Sequence, residues 1–463
     1  MNTKPRANTV DIPYMQDSCS YFERLRHLPY PVLLDSNAQA SAGRFDIITA
    51  SPASIIISKT NADNDALFTQ INKDISSYTT NGAQHLSAPF VSGAIGVFSY
   101  DIGMQLNGLG SDLNPDSETD TNAPWPMLIV GVYQWAIVQD HQQQQSWLLS
   151  DPKQDKTITD GLLSLISHQQ ENADTEPFNL TTAWQASADI KSYNALFNSA
   201  MNYIEQGDCY QVNVAQQMSA EYKGDSWQAY KQLRHTSPTP FAAYFEAPQG
   251  CLMSLSPERF IQVKDQQVQT QPIKGTRKRG ATAEEDSVLI AELSSSEKDR
   301  AENLMIVDLM RNDLGKCCQQ GSIKVPKLFE VESHPNVHHL VSTVTAKLPQ
   351  AGVSNALDLL KSSLPGGSVT GAPKKRAMEI IDELESFSRS IYCGSVAYID
   401  NSGNMDSNIL IRSLLLSKTD NEKTGTVQCW GGGGIVADSK AELEYEESLQ
   451  KIRNILDALS HTR

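Results

Sequence analysis

Three short apolar runs, residues 241–245, 251–255 and 260–263, follow one another with only four or five residues between them. Gaps that short admit hairpin turns but no crossover helix, so the runs predict consecutive antiparallel strands. They lead directly into Pro272-Ile273-Lys274-Gly275-Thr276. Residues 30–36, 45–48, 55–57, 93–100 and 127–138 are further β-like stretches, and 210–217 alternates in the same way. Amphipathic helices are predicted over 192–206, ending at Gly207 as a natural C-cap, and over 227–235. Hairpins and helices are mixed without regular strand–helix alternation, which predicts an α+β fold.

The 463 residues suffice for two or three average domains or for one large enzyme body. Apolar density falls between 151 and 188, which divides an N-terminal region, 1–170, from a second region, 190–460. Residues 107–122 read as a polar loop. The formal charge is −16, from 38 Lys and Arg against 54 Asp and Glu. A nucleic-acid binder needs a basic face, so that class is excluded, whereas an anionic metabolite can still meet locally gathered cations or a divalent metal. Seven cysteines without metal-ligand spacing predict reduced thiols. No N-terminal apolar core and no run of about 18 apolar residues occurs, so the expectation is a cytoplasmic protein without a membrane partner.

Pro272 to Thr276 places one lysine on a glycine turn, with a hydroxyl residue after it. Such a turn can present an amine and backbone N–H groups to an anion, and an amine in a partly dry pocket can act as nucleophile or base. A basic surface turn is the competing reading, because Arg277, Lys278 and Arg279 follow at once.

Two stretches concentrate carboxylates. Ser296 with Asp299 is a capping-box pattern that opens a helix, largely buried over 304–310, whose first turns carry Asp299 and Glu302 on one face. Ser439 with Glu442 opens another helix, in which Tyr445, Leu449, Ile452, Leu456 and Leu459 form the apolar stripe. Glu444, Glu447 and Lys451 fall on a different face. Two helices each offering a glutamate would make a hard-oxygen Mg²⁺ site, although solvated surface charge is the commoner fate of a single glutamate. Two glycine-rich stretches, 364–374 and Trp430-Gly431-Gly432-Gly433-Gly434-Ile435-Val436, read as loops. Neither fits a nucleotide-binding pattern, and carboxylate binding suits them better.

Taken as a set, these segments resemble the chorismate-utilising enzyme family, whose members make anthranilate, aminodeoxychorismate, isochorismate and salicylate. Ser256-Pro257-Glu258-Arg259-Phe260, Pro272 to Thr276, and Asp299-Arg300-Ala301-Glu302-Asn303 through Arg311-Asn312-Asp313 carry the resemblance. Val337-His338-His339-Leu340-Val341-Ser342, residues 367–374, Ile411-Arg412 and residues 432–447 continue it in order. The N-terminal part matches chiefly through Leu33-Leu34-Asp35-Ser36.

The resemblance implies one large four-layer α/β/β/α sandwich of two antiparallel sheets, with the active site between them and the N-terminal region adding strands. It implies Glu302 and Glu447 as Mg²⁺ ligands, with Asp299 and Glu444 in support. Gly275, Thr276, Tyr392, Arg412, Lys451 and the amides of Gly432, Gly433 and Gly434 become chorismate contacts. His339 becomes an active-site histidine, and Glu258 the acid that protonates the departing 4-hydroxyl. A core histidine and a plain surface ion pair are the bland alternatives.

Anthranilate-forming relatives usually carry alanine where this chain has Lys274. A lysine there resembles the aminodeoxychorismate-forming branch, and implies a covalent lysine intermediate on the way to 4-amino-4-deoxychorismate, for p-aminobenzoate and folate. Ammonia would come from a separate glutamine amidotransferase subunit, since Cys209 and Cys393 sit in strand-like settings. Ser36, Gly43, Arg44, Phe45, Asp46, Pro240, Phe241 and Ala242 would line an L-tryptophan pocket, with Asp35 replacing the family's glutamate. An anthranilate-forming component and a catalytically inactive metabolite-sensing subunit are the alternatives.

Overall fold

The computed structural model describes residues 7–37, 43–58, 63–78, 88–110, 125–168, 176–334, 337–419 and 423–460. Alternation of apolar side chains along the strands decides the architecture. On successive strands, Val32, Ile47, Ala136, Val138, Ala243, Phe245, Leu252 and Leu415 belong to one buried cluster. Their sequence neighbours Leu33, Ile48, Trp135, Ile137, Ala242, Tyr244, Cys251, Met253, Leu414 and Leu416 belong to a second. Side chains of a strand point alternately to its two faces, so this sheet is buried on both sides.

Among the described residues the first sheet has thirteen strands and the second ten. The first runs Asn8–Ile12, Gln145–Ser150, Trp135–Asp140, Phe45–Thr49, Val32–Asp35, Phe241–Ala247, Gly250–Ser256, Ser413–Lys418, Thr424–Ile435, Gln211–Lys223 and Gln185–Ala186, with two short strands off this path. The second runs Ile273–Lys278, Val337–Lys347, Gln267–Thr270, Arg259–Lys264, Met405–Asn408, Ser395–Asp400, Gly93–Phe98, Leu128–Tyr133 and Ser54–Ile57, with Lys324–Ser333 also on Val337–Lys347. Pairing is antiparallel, including where N-terminal strands meet later ones, as in Val32–Asp35 with Phe241–Ala247 and Gly93–Phe98 with Ser395–Asp400.

Helices Cys19–Leu25, Lys156–Ser167, Ser226–Thr236 and Ala441–Ser460 cover the outer face of the first sheet through Phe22, Leu162, Trp227, Tyr230, Ile452 and Leu459. Helices Asn64–Ser76, Glu297–Gly315 and Val353–Ser363 lie against the second. The α+β sandwich of two antiparallel sheets is therefore observed. No described helix is long and apolar enough to cross a membrane. All seven cysteines are free thiols.

Several local expectations change. The Gly431–Gly434 run is not a loop but the end of the strand Thr424–Ile435, in register with residues 213–216. Glycine is required there by packing: a Cβ on Gly431 would stand 2.3 Å from the Ser448 carbonyl oxygen of the last helix. That close approach turns Glu444, Ser448, Ile452, Ile455 and Leu459 inward and leaves Leu449 and Leu456 half-buried beside the line expected for them. Ser439 donates to the Glu444 side chain at 2.7 Å, and the helix begins only at Ala441. In Glu297–Gly315, Leu304 and Asp308 face outward, so that segment is buried on one face only. Of the expected polar loop, residues 111–122 lie outside the described residues.

Candidate active site

Lys274 stands on the strand Ile273–Lys278, which the chain enters after Pro272. Protein surrounds the amine, and the residue as a whole is half-buried. Burial pushes its pKa down from the ordinary lysine value; Glu302 opposes this most, and Glu258 and Glu447 add to the opposition. Desolvation penalises the charged form of an amine, which favours the free base.

Glu258 is 7% exposed and enters the cleft from the turn between Gly250–Ser256 and Arg259–Lys264. Burial raises its pKa to about 7, against the pull of Lys274, a hydrogen bond from Ser368 and the charge of Arg412. The Ser368 Oγ donates to Glu258 Oε1 at 3.1 Å. A carboxyl group held near neutrality can deliver a proton to a leaving oxygen.

Arg412 adopts a left-handed backbone conformation, φ 52°, uncommon for a side chain of this size. Burial lowers its pKa and Glu258 partly restores it. Its guanidinium makes no hydrogen bond or ion pair with any described residue. A forked cation left open in a cleft is suited to an incoming carboxylate.

His339 sits opposite Thr276 in the ladder between Ile273–Lys278 and Val337–Lys347. Burial, then His334, Arg412 and His338, depress its pKa to about 4, so the imidazole is neutral at pH 7. Its Nδ1 is buried without a hydrogen-bond partner among the described residues. Tyr392 stacks on Trp430, centroids 6.2 Å apart, and its hydroxyl lies 2.8 Å from where a Cβ on Gly432 would be.

The two carboxylate helices lie close enough for the charge of Glu444 to act on Glu302. A Cβ on Gly433 would lie 3.2 Å from Glu444 Oε2, 3.7 Å from Lys451 Nζ and 3.9 Å from Glu447 Oε1. Lys451 pairs with Glu447 at 2.8 Å and donates to the Gly432 carbonyl at 3.0 Å. Among the described residues the glycine strand from Trp430 onward pairs only with Gln211–Lys223, because pairing with Ser413–Lys418 ends at Cys429. One backbone edge is thereby left without a strand partner.

Burial raises the pKa of Glu302 and of Glu444. Lys274 and Lys298 counter it at Glu302, where Asp299 and Glu444 push the same way as burial. Burial pushes Glu447 up as well, but Lys451, Lys298 and Lys274 together leave it lowered. Crowded carboxylate oxygens of this kind fit a hard divalent cation that keeps several waters. Among the described residues no group of three His, Cys, Asp or Glu side chains is placed to hold a metal ion, so such a cation would depend on substrate and water oxygens. Asp299 is already engaged by Arg277 Nη2 at 3.1 Å.

Gln211 and Asn213 were not anticipated. Gln211 Nε2 donates to Asn213 Oδ1 at 2.9 Å, Asn213 Nδ2 to the Ser368 carbonyl at 2.9 Å, and the buried Gln211 Oε1 has no partner. The available signal was two polar residues alternating with Val212 and Val214 at the start of the strand.

The matching residues and their order point one way. The sequence fits the family of chorismate binding enzymes over residues 30–457. The chain belongs to the chorismate-binding enzymes. It is 41% identical to aminodeoxychorismate synthase component 1 of Klebsiella aerogenes over 97% of this chain and 98% of that protein. It is 42% identical to aminodeoxychorismate synthase component 1 of Escherichia coli, over 97% and 98%. Anthranilate synthase component I of Streptococcus pneumoniae superposes with a TM-score of 0.75 at 29% identity, covering 89% of this chain and 92% of that one. The menaquinone-specific isochorismate synthase of Escherichia coli shares the fold at 16% identity, TM-score 0.72, over 99% and 96%.

Residues expected to form an amino-acid pocket border a cavity of about 800 Å³ between the two sheets. Ser36, Arg44, Phe45, Pro240, Phe241 and Ala242 line it, as expected, whereas Gly43 and Asp46 do not. Phe45 and Ile47 face the cavity, so the intervening Asp46 points to the opposite face of its strand. There it accepts from Ser36 N at 2.7 Å and is paired with His141 at 2.8 Å. Gly43 serves packing, since a Cβ would meet the Ser36 carbonyl oxygen at 2.4 Å.

Proposed function

We propose that this chain is the chorismate-using component of an aminodeoxychorismate synthase, forming 4-amino-4-deoxychorismate from chorismate and ammonia through a covalent bond to Lys274. The carrying observation is an enclosed amine, Lys274, within the field of a buried carboxyl group, Glu258, whose pKa is near 7. Arg412 and the open edge at Gly432 to Gly434 would receive the substrate's carboxylates, and Thr276, Tyr392 and Lys451 border the same cleft.

In the first step the neutral Lys274 Nζ bonds to C2 of the ring. The double bond shifts, and the C4–O bond breaks as Glu258 gives its proton to the departing hydroxyl, which leaves as water. In the second step ammonia bonds to C4, the double bond shifts back, and the C2–N bond breaks to return the lysine amine. The ammonium formed at C4 loses a proton, and Glu258 is the nearby group to take it. Dividing one substitution into two steps lowers each barrier. Mg²⁺, held by Glu302 and Glu447 with substrate and water oxygens, would neutralise a carboxylate and orient the ring. The neutral His339 offers a hydrogen bond without adding charge.

Ammonia would be delivered by a glutamine amidotransferase subunit. The cavity between the sheets would take L-tryptophan, its floor set by Ser36 and its walls by Phe45, Pro240 and Phe241. Incubation with chorismate, Mg²⁺ and ammonium followed by product analysis tests the reading: 4-amino-4-deoxychorismate is expected, and anthranilate as main product, or no turnover at all, rejects it.

A further inference from the structure

Lys274 is not fixed by the sheet that carries it. The ladder between Ile273–Lys278 and Val337–Lys347 pairs Ile273 with Val341, then shifts register and resumes at Thr276 with His339. Lys274 and Gly275 lie in the irregular interval, and Gly275 has φ +85°. A bulge frees a side chain to be re-aimed, and it also removes the ladder as the source of its placement.

What lies against the bulge is the helical layer. A Cβ on Gly275 would stand 2.9 Å from Leu293 Cδ1 and 3.0 Å from both Cβ and Cγ of Asp299. Directly after the bulge, Arg277 spans two helices. Its Nε donates to Glu292 at 2.9 Å and its Nη2 to Asp299 at 3.1 Å. Asp299 Oδ2 and Glu292 Oε1 thus hold one planar guanidinium, itself only 26% exposed. Asp299 lies one helical turn before Glu302, the carboxylate that acts most strongly on the Lys274 amine.

We propose that Arg277 and Asp299 form a clamp that seats the bulged strand on the carboxylate helix and thereby sets Lys274 against Glu302. Asp299 is a positioning residue in this arrangement and not a metal ligand. Its carboxylate is occupied by Arg277, and the close fit of Gly275 against its side chain leaves it facing the strand. The clamp rests on the reading of Lys274 as the reactive amine.

The test is a double-mutant cycle on the full chain with ammonium as nitrogen source: Arg277→Leu, Asp299→Asn and the pair, with Arg277→Lys and Lys274→Ala alongside. A reacting group displaced by an ångström costs about 100-fold. Each single variant should therefore lose between about tenfold and 100-fold in kcat, while KM for chorismate stays within about twofold. The pair should be no worse than the poorer single variant, because both remove one interaction. Arg277→Lys, which keeps a cation but not the fork, should recover part of the loss. The Kd of Mg²⁺ measured by calorimetry should be unchanged in all of them.

Multiplying losses in the pair overturn the clamp. So does an Asp299→Asn variant that alone loses Mg²⁺ affinity, which makes Asp299 a ligand. Full turnover in Arg277→Leu beside an inactive Lys274→Ala sinks the clamp while leaving the reactive amine. Full turnover in Lys274→Ala removes that amine's role and the proposal with it.

Discussion

The hydroxyl of Ser368 donates to the carboxyl group of Glu258 at 3.1 Å across 110 positions of sequence. One residue comes from a glycine-rich turn before a helix and the other from a strand-to-strand turn. Their contact joins two segments that lie far apart in the sequence.

This contact makes the pH profile a measurable consequence. With Lys274 as free base and Glu258 as acid, as proposed, turnover should rise with pH and then fall as pH passes about 7. Ser368 favours the ionised carboxylate, and Ser368→Ala should move the descending limb to higher pH. Glu258→Gln should abolish it. The measurement is kcat/KM for chorismate against pH at constant free ammonia, and a descending limb common to all three proteins rejects the assignment.

Stability should follow the same group. The folded pKa of Glu258 lies above its ordinary 4.5, so the folded chain binds the proton more tightly than the unfolded chain. Its contribution is present below that ordinary value and is lost as pH rises through about 7. Glu258→Gln should flatten this decline by up to about 3 kcal/mol in denaturant titrations.

Arg412→Ala should weaken binding of chorismate by about 1.5–3 kcal/mol, the worth of a charged hydrogen bond. Arg412→Lys should restore only part, because a point charge does not reproduce the fork. Equilibrium binding to Lys274→Ala protein separates this from chemistry, and unchanged affinity in Arg412→Ala counts against a carboxylate subsite.

Glu302→Gln and Glu447→Gln should each raise the Mg²⁺ concentration needed for half-maximal turnover by about tenfold or more. Calorimetric Mg²⁺ titration with bound chorismate checks the same point without turnover. Variants that titrate like the parent place the ion elsewhere.

Gly431→Ala brings a Cβ within 2.3 Å of the Ser448 carbonyl oxygen, which backbone can relieve only by moving the last helix. A loss of about 1–3 kcal/mol is expected, read as a lower Tm. Because Glu444, Glu447 and Lys451 ride on that helix, KM for chorismate should rise as well.

L-Tryptophan should raise the Tm of the parent protein through the cavity of about 800 Å³. Filling that space with Ala243→Phe, on the face of the strand that looks into the cavity, should cancel the shift while leaving ammonium-dependent turnover in place. A Tm indifferent to tryptophan in the parent removes it as the ligand.

Much of this was legible in the chain. The closely spaced strands of 241–263 dictate antiparallel pairing, because four or five residues cannot house a crossover. Ser296 caps its helix through the Asp299 amide at 3.2 Å, as its spacing from Asp299 predicts. Lys274, Glu258, Glu302 and Glu447 could be named because their motifs are local. Tertiary structure alone decided three things. The four glycines proved to be strand, since only packing against Ser448 reveals why side chains are excluded there. Asp46 turned away from the cavity that Phe45 lines, because strand alternation acts once register is fixed. Asp299 found Arg277, Ser368 found Glu258, and Arg412 was left open, because these outcomes depend on which segments fold together. Residue type and spacing are written along the chain; burial, and with it the lowered amine of Lys274 and the raised acid of Glu258, exists only where the two sheets and the helical layer close around them.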